Sequence, residues 1–270
     1  LVDSETQSLD THRIAALAED IFTMRGFGIS VVLVVSAAVA VGRGRVEDAE
    51  TSRHVAAALG QSAVTGCFHE HFHRLGIPLA QILVGEPNVS TDNGKVRLRG
   101  MLTEIAGAGG QVLINGNDAL HEGESWVSNN DLLAAKIARL LPASALVLLT
   151  DQDGLYDRDP RQHPDAKLIP MGRALDPRWQ QAASASKGSL GTGGMQSKIQ
   201  AARDCARLGV ATLIARGDAP HVLTRLLHGT VPCTRLLPGP EPMGKKRDLE
   251  IMRAPKTSHF PLPSGLRPAS

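Results

Sequence analysis

The sequence predicts an α/β protein whose core is a mainly parallel β-sheet covered by helices on both faces. Short apolar runs without polar alternation recur along the chain, namely "ISVVLVV", "PLAQILV", "GQVLIN" and "ALVLLT". Strands that are buried on both faces have this pattern. Segments with helical periodicity stand between the runs, and such alternation is typical of parallel sheets.

Each element is predicted from its own local pattern. In the first helix, Ile14, Leu17, Ala18 and Ile21 share one face behind a cap at Asp10 or Thr11. The remaining helices and strands alternate in the same way. The predicted order is helix 10–22, strand 29–35, helix 49–75, strand 78–84, helix 95–109, strand 110–115, helix 129–141, strand 145–150, helix 194–208, strand 210–215 and helix 218–228.

Composition limits the classes of protein to which the chain can belong. Of its 270 residues, 42% are hydrophobic and 21% are charged, which is ordinary for a soluble globular protein. The formal net charge of +2 gives no reason to expect a nucleic-acid partner. No apolar run reaches the roughly 18 residues that a membrane span requires. We therefore expect no membrane partner. The three cysteines are widely spaced and indicate no disulfide framework, so we expect a cytoplasmic protein.

The segment from Pro238 onward differs from the rest of the chain. It is rich in proline and basic residues and lacks sustained periodicity. We therefore predict one domain over residues 1–237 and an irregular tail over 238–270.

Polar residues follow three of the predicted strands. Ser36 follows the first, Asp118 lies in "LINGNDAL", and Thr150 and Asp151 begin "TDQDGLY". Ligands of open α/β sheets bind at the carboxyl ends of strands, so these residues are candidates for one site. Three of them have a structural alternative: a helix cap or turn for Asp118, and a strand-ending turn for Thr150 and Asp151.

A glycine-rich loop, "GSLGTGGMQSK" (188–198), precedes a predicted helix. Glycines let backbone N–H groups turn toward an anion, and a helix N-terminus favours negative charge, so the loop predicts a phosphate site. It is not a Walker A motif, because Ser197 rather than glycine precedes Lys198. The alternative is a surface linker that leads into a helix.

The segment "CFHEHFH" (67–73) invites a metal-site interpretation. His69 and His73 are four residues apart and share a helix face, but the segment is not an H-E-x-x-H motif. It also lies away from the strand ends, so we interpret it as part of a surface helix.

Taken together, these motifs resemble those of the glutamate 5-kinases, a branch of the amino acid kinase family. The resemblance is carried by "VVSAAVAVGR", "LGQSAV", "VLINGNDAL", "NNDLLAAKIARLL", "LVLLTDQDGLYDRDPR" and "LGTGGMQSKIQAA". It implies a three-layer αβα sandwich with a mainly parallel central sheet, the amino acid kinase fold. It also implies the kinase domain alone, without the small PUA domain that follows it in many bacterial members.

The resemblance further implies an activity. The protein would use ATP and Mg²⁺ to phosphorylate the γ-carboxylate of L-glutamate, which gives L-glutamyl 5-phosphate in the first step of proline biosynthesis. Its partners would be glutamate and ATP. Whether the chain forms a homo-oligomer stays open.

The resemblance also assigns roles to residues. Ser36, Asp118 and Asn130 would bind glutamate. Lys198 would neutralise charge on the transferred phosphoryl group, and Asp131 would orient the catalytic lysines. The implied nucleotide contacts are Thr150, Asp151, Thr192, Gly193, Gly194, Met195, Gln196, Ser197 and Lys198.

Several positions depart from the family pattern. The family begins with a strand and a "K-x-G-[ST]-S"-like loop, which "LVDSETQS" does not match, so we expect either a truncated chain or an impaired catalyst. Ala37 stands where glycine is usual, and Gly116 and Asn129 each replace a carboxylate. Two alternatives therefore stay open: a divergent kinase of another amino acid or acidic substrate, and a regulatory or binding homologue.

Overall fold

A computed structural model of the protein describes residues 1–3, 8–46, 50–120, 129–179 and 194–239. These residues belong to two compact units. The described part of the first unit ends at Leu120, and that of the second begins at Asn129.

The first unit contains a three-stranded parallel sheet. Its strands are β1 (Val32–Val34), β2 (Leu79–Val84) and β3 (Gln111–Gly116), in the order β1-β3-β2. The central strand β3 is buried along its whole length, as its apolar sequence predicts. The helices of this unit are α1 (Thr11–Gly26), α2 (Ala38–Arg43), α3 (Arg53–Arg74), α4 (Glu86–Ser90) and α5 (Asp92–Gly107).

The second unit contains a four-stranded mixed sheet. Its strands are β4 (Ala145–Thr150), β5 (Met171–Arg173), β6 (Ala211–Arg216) and β7 (Cys233–Leu237), in the order β4-β6-β7-β5. Pairs β4–β6 and β5–β7 are parallel, whereas β6–β7 is antiparallel. The helices are α6 (Asn130–Leu140), α7 (Met195–Ala206) and α8 (Val222–His228).

The structure confirms the α/β class and the predominance of parallel pairing. The described strands form two sheets, where the sequence pattern predicts one covered sheet. Strands β5 and β7 were not predicted, because β5 has only three residues and β7 includes the polar Thr234 and Arg235. The predicted tail lies almost entirely outside the described residues, which end at Gly239.

Helices α2 and α3 pack with their backbones in close approach at two glycines. A Cβ atom on Gly60 would lie 1.9 Å from the carbonyl oxygen of Ala38, and one on Gly42 would lie 1.8 Å from that of Ala56. The sequence pattern did not predict α2, since "AVAVGR" contains valines and glycine, which are poor helix formers. Packing against α3 therefore stabilises a helix that its own sequence does not favour.

We expect Gly60→Ala to lower the free energy of unfolding by about 1–3 kcal/mol, because the new methyl group overlaps backbone that cannot move easily. Gly66→Ala, in the same helix, is the matched control. A Cβ atom there meets no heavy atom within 4 Å. The control should gain about 0.5–1 kcal/mol from helix propensity. Urea denaturation measures both changes, and equal effects would contradict the close approach.

Candidate active site

A buried ion pair joins the beginnings of two helices in the second unit. The Lys198 Nζ atom lies 2.9 Å from Asp131 Oδ2 and 3.2 Å from Asp131 Oδ1. The Lys198 and Asp131 side chains are only 9% and 17% exposed. The Ser197 hydroxyl donates to Asp131 Oδ2 at 2.6 Å. One carboxylate thus holds a lysine and a serine from α7.

The local sequence places this pair at two helix N-termini. Asn129 caps α6, since its Oδ1 atom accepts from the Asp131 backbone N–H at 3.0 Å. Asp131 lies in the first turn of α6, where the helix dipole favours a carboxylate. Lys198 lies in the first turns of α7, where the dipole opposes a cation, so helix stability does not explain its position.

Both helix N-termini lie at the carboxyl edge of the parallel pair β4–β6. Helix α6 leads into β4 and α7 leads into β6 through short connections, and each helix packs on the strand that it precedes. A helix joined in this way runs antiparallel to its strand, so its N-terminus lies where the strand ends. This edge is the usual ligand-binding edge of α/β sheets.

Thr150 ends β4 and Asp151 follows it at the same edge, as predicted. The Thr150 hydroxyl donates to Asp151 Oδ1 at 3.0 Å, and Arg161 Nη2 donates to Asp151 Oδ2 at 2.8 Å. The Gly217 backbone N–H donates to the Thr150 carbonyl oxygen at 2.7 Å, which ties the end of β4 to the end of β6. Arg161 belongs to the "DPR" part of the motif, and no role was predicted for it.

A second polar cluster at this edge was not predicted. Arg216 Nε donates to Asp153 Oδ1 at 2.7 Å, and the Tyr156 hydroxyl donates to Asp153 Oδ2 at 3.2 Å. Burial and the neighbouring Asp153 raise the pKa of Tyr156, so its phenol stays protonated and acts as a donor. The hydrogen bond to Asp153 raises the pKa of Arg216.

Asn130, a predicted glutamate ligand, begins α6 beside Asp131. Its Oδ1 atom is buried and has no hydrogen-bond partner in the part of the chain that the structure describes. An unpaired buried amide oxygen is costly, and such an atom next to a polar cluster is typical of a position that a ligand completes.

In the first unit, Ser36 and Asp118 lie at one edge of the sheet. Ser36 follows β1 and Asp118 follows β3, and these strands pair in parallel through Val34 and Ile114. Asn115, at the end of β3, donates to Gln61 Oε1 of α3 at 2.7 Å. The Asp118 carboxylate lies 3.5 Å from Arg53 Nη2. The sequence did not predict a role for Gln61 or Arg53.

The backbone at Ala37 is strained. Its φ angle is 151° with ψ at −17°, a region that residues with a Cβ atom seldom adopt. The motif pattern that the sequence resembles has glycine at this position, and glycine adopts such angles at little cost. The strained residue lies between Ser36 and α2. This departure from the pattern should therefore lower the free energy of unfolding.

We expect Ala37→Gly to raise the free energy of unfolding by about 1 kcal/mol, because it removes the steric cost of a positive φ angle. The control is Ala40→Gly within α2, which should lose about 0.5–1 kcal/mol as helix-interior glycines do. Thermal denaturation of the two variants distinguishes the cases. A loss of stability in both would show that Ala37 carries no strain.

The remaining predicted residues are placed as follows. Gly194 precedes α7, and Met195 and Gln196 form its first turn with Ser197. Thr192 and Gly193 lie outside the described residues. The histidine segment is part of α3, where Phe68 and Phe72 are buried and the exposed His69 and His73 rings stack 5.8 Å apart. Its interpretation as a surface helix is confirmed.

Sequence comparison identifies the class of protein. The amino acid kinase family matches residues 2–216, so the chain belongs to that family. The predicted resemblance to the glutamate 5-kinases is also confirmed. The chain is 40% identical over 252 residues to glutamate 5-kinase of Chromohalobacter salexigens, with 92% of this chain and 66% of the relative covered. For the enzyme of Thioalkalivibrio sulfidiphilus, the identity is 38%, with 92% and 67% covered. The chain thus spans about two thirds of the length of these relatives.

Solved structures of the same fold are more distant in sequence. Carbamate kinase from Giardia lamblia bound to AMP-PNP superimposes with a TM-score of 0.63 at 15% identity, with 88% of this chain and 95% of that chain covered. An isopentenyl phosphate kinase gives 0.57 at 21% identity, with 87% and 94% covered. These likenesses show the amino acid kinase fold. Among the described helices, none combines the length and the apolar character that crossing a membrane requires.

Proposed function

We propose that the protein is an ATP-dependent glutamate 5-kinase. It transfers the γ-phosphoryl group of ATP to the γ-carboxylate of L-glutamate and forms L-glutamyl 5-phosphate and ADP. The observation that carries the proposal is the Lys198–Asp131 ion pair at the N-termini of α6 and α7, because this arrangement presents a fixed cation and helix N–H groups at a strand edge. The similarity to the two bacterial glutamate 5-kinases supports the choice of substrate.

The reaction requires charge stabilisation more than proton transfer. The γ-carboxylate of glutamate is ionised at neutral pH and attacks without a general base. Negative charge in the transition state spreads over the oxygens of the transferred phosphoryl group. Lys198 would neutralise part of that charge, while Asp131 and Ser197 hold the lysine in place.

Nucleotide binding is assigned to the same unit. The N-terminus of α7 suits phosphate groups because its first N–H groups have no partner within the helix. Thr150 and Asp151 would contact the nucleotide at the end of β4. The loop residues Thr192 and Gly193 are predicted to complete the phosphate contacts.

Mg²⁺ would enter with the nucleotide. The carboxylates of Asp131 and Asp151 are already paired with Lys198 and Arg161. Magnesium in phosphoryl-transfer sites is bound largely by substrate phosphates and water. The donor set therefore fits an ion held mainly by ATP, which would offset the charge of the phosphates.

Glutamate binding is assigned to Ser36, Asp118 and Asn130. Asp118 is the only carboxylate among them, and it would pair with the α-ammonium group in a charge-assisted hydrogen bond. The free amide oxygen of Asn130 would accept a hydrogen bond from the substrate. A cytoplasmic location and a place in proline biosynthesis follow from the proposed reaction.

We expect Lys198→Ala to lower kcat by on the order of 10²- to 10³-fold, with a smaller effect on KM for ATP, because the lysine stabilises charge that grows in the transition state. The measurement is ATP-dependent formation of glutamyl phosphate, trapped with hydroxylamine. Lys167→Ala removes an exposed lysine of the same unit and is the matched control. Thermal denaturation establishes that each variant is folded. An unchanged kcat in Lys198→Ala would contradict the assigned role.

We expect Asp118→Ala to weaken glutamate binding by about 2–5 kcal/mol, since the substrate ammonium group would lose its buried partner. ATP affinity should not change. Calorimetry measures both ligands, with Asp92→Ala as the control because the Asp92 side chain is fully exposed. Normal glutamate affinity in Asp118→Ala would refute the assignment. Turnover of another amino acid in place of glutamate would favour a divergent kinase.

A further inference from the structure

We propose that Arg53 binds the α-carboxylate of the amino-acid substrate, so that Arg53 and Asp118 together recognise the zwitterionic head group. This inference rests on the proposed function and extends it to a residue that the sequence motifs leave without a role. Arg53 begins α3, and its Nη2 atom lies 3.5 Å from Asp118 Oδ1.

The Arg53–Asp118 contact is loose for an ion pair. Strong arginine–carboxylate pairs have distances of about 2.7–2.9 Å and are often bidentate, whereas one long contact joins these two side chains. The Asp118 side chain is only 11% exposed, but the Arg53 side chain is 40% exposed, so solvent reaches the guanidinium and weakens the pair. Fold stability therefore gives little reason for this contact.

Helix stability does not explain Arg53 either. The first turn of α3 has no acidic residue, and its first two residues are Arg53 and His54. A cation at a helix N-terminus opposes the helix dipole, which favours anions there. Arg53 thus provides a positive charge beside helix N–H groups, in a position where an anionic ligand group is favoured.

Two further contacts join α3 to the loop that carries Asp118 and to strand β3 directly before it. His54 Nδ1 lies 2.8 Å from the Asp118 carbonyl oxygen, and because a carbonyl only accepts, Nδ1 is the donor. Asn115 donates to Gln61 at 2.7 Å. These contacts fix the backbone of the loop independently of Arg53. A change of partner at the Arg53 guanidinium therefore leaves these two contacts in place.

An α-amino acid carries an ammonium group and a carboxylate on one carbon atom. When its ammonium pairs with Asp118 and its carboxylate pairs with Arg53, each charge of the head group has an oppositely charged partner. A substrate without the α-carboxylate charge would bring only its ammonium and would still meet Asp118. The pair thus selects amino acids whose α-carboxylate is free.

The test compares L-glutamate with L-glutamic acid α-amide, in which the α-carboxylate is neutral and the γ-carboxylate is kept. Calorimetry gives the affinity of both ligands for the wild type, Arg53→Gln, Arg53→Lys and Arg74→Gln. Arg74 is an exposed arginine at the other end of α3, paired with Glu70, and its variant is the matched control.

We expect Arg53→Gln to weaken glutamate binding by about 10- to 100-fold, as the loss of a charge-assisted contact implies, and to leave α-amide binding within about twofold. Arg53→Lys should restore part of the preference for glutamate, since it keeps the charge but not the bidentate geometry. Arg74→Gln should bind both ligands like the wild type.

Two results would overturn the inference while the proposed function stands. Equal weakening of both ligands in Arg53→Gln would mean that Arg53 acts only by holding Asp118. Unchanged affinities would mean that Arg53 does not meet the substrate. A folded wild-type protein that binds ATP but neither glutamate nor its α-amide would instead refute the proposed substrate, and this inference with it.

Discussion

The Lys198–Asp131 ion pair is the interaction on which the candidate site of the second unit depends. It places a cation at a helix N-terminus, a position that the helix dipole disfavours, and it shields both charges from solvent. Such a pair is retained only with good geometry and additional hydrogen bonds, which Ser197 and the Asn129 cap supply. The two helices that contribute it also carry the apolar core around Ile199 and Ala135, so the position of the charges is set by packing.

The first unit relies on helix α3 in a comparable way. Helix α2 packs on α3 through the close approach at Gly42 and Gly60. On the same helix, Gln61 accepts a hydrogen bond from Asn115 of β3, and His54 contacts the loop after β3. One long helix thus positions both polar segments at the carboxyl edge of its sheet. The strained Ala37 precedes α2. Because α2 packs closely on α3, this packing holds the Ala37 backbone in its unfavourable conformation.

Much of the fold was predictable from sequence, because its signals are local. Strand β3 reads as an apolar run and is buried throughout, and α1 begins behind the Asp10 cap as its periodicity predicts. Strand β7 was not predicted because the polar Thr234 and Arg235 interrupt its apolar pattern, although pairing with β6 gives it a place in the sheet. Helix α2 was not predicted either, since packing overrides its low propensity.

In the candidate site too, local features were predictable from sequence and contacts between distant segments were not. The sequence by itself determined the residue types at the strand ends: Thr150 and Asp151 after β4, Asp118 after β3, and Lys198 behind its glycine loop. Only the tertiary structure decided which charges meet. Asp131 and Lys198 are 67 positions apart, and Arg53 and Asp118 are 65 positions apart. Such separations do not indicate by themselves which residues are in contact. Sequence patterns report burial and local geometry, whereas an ion pair between distant segments depends on how helices pack on the sheet.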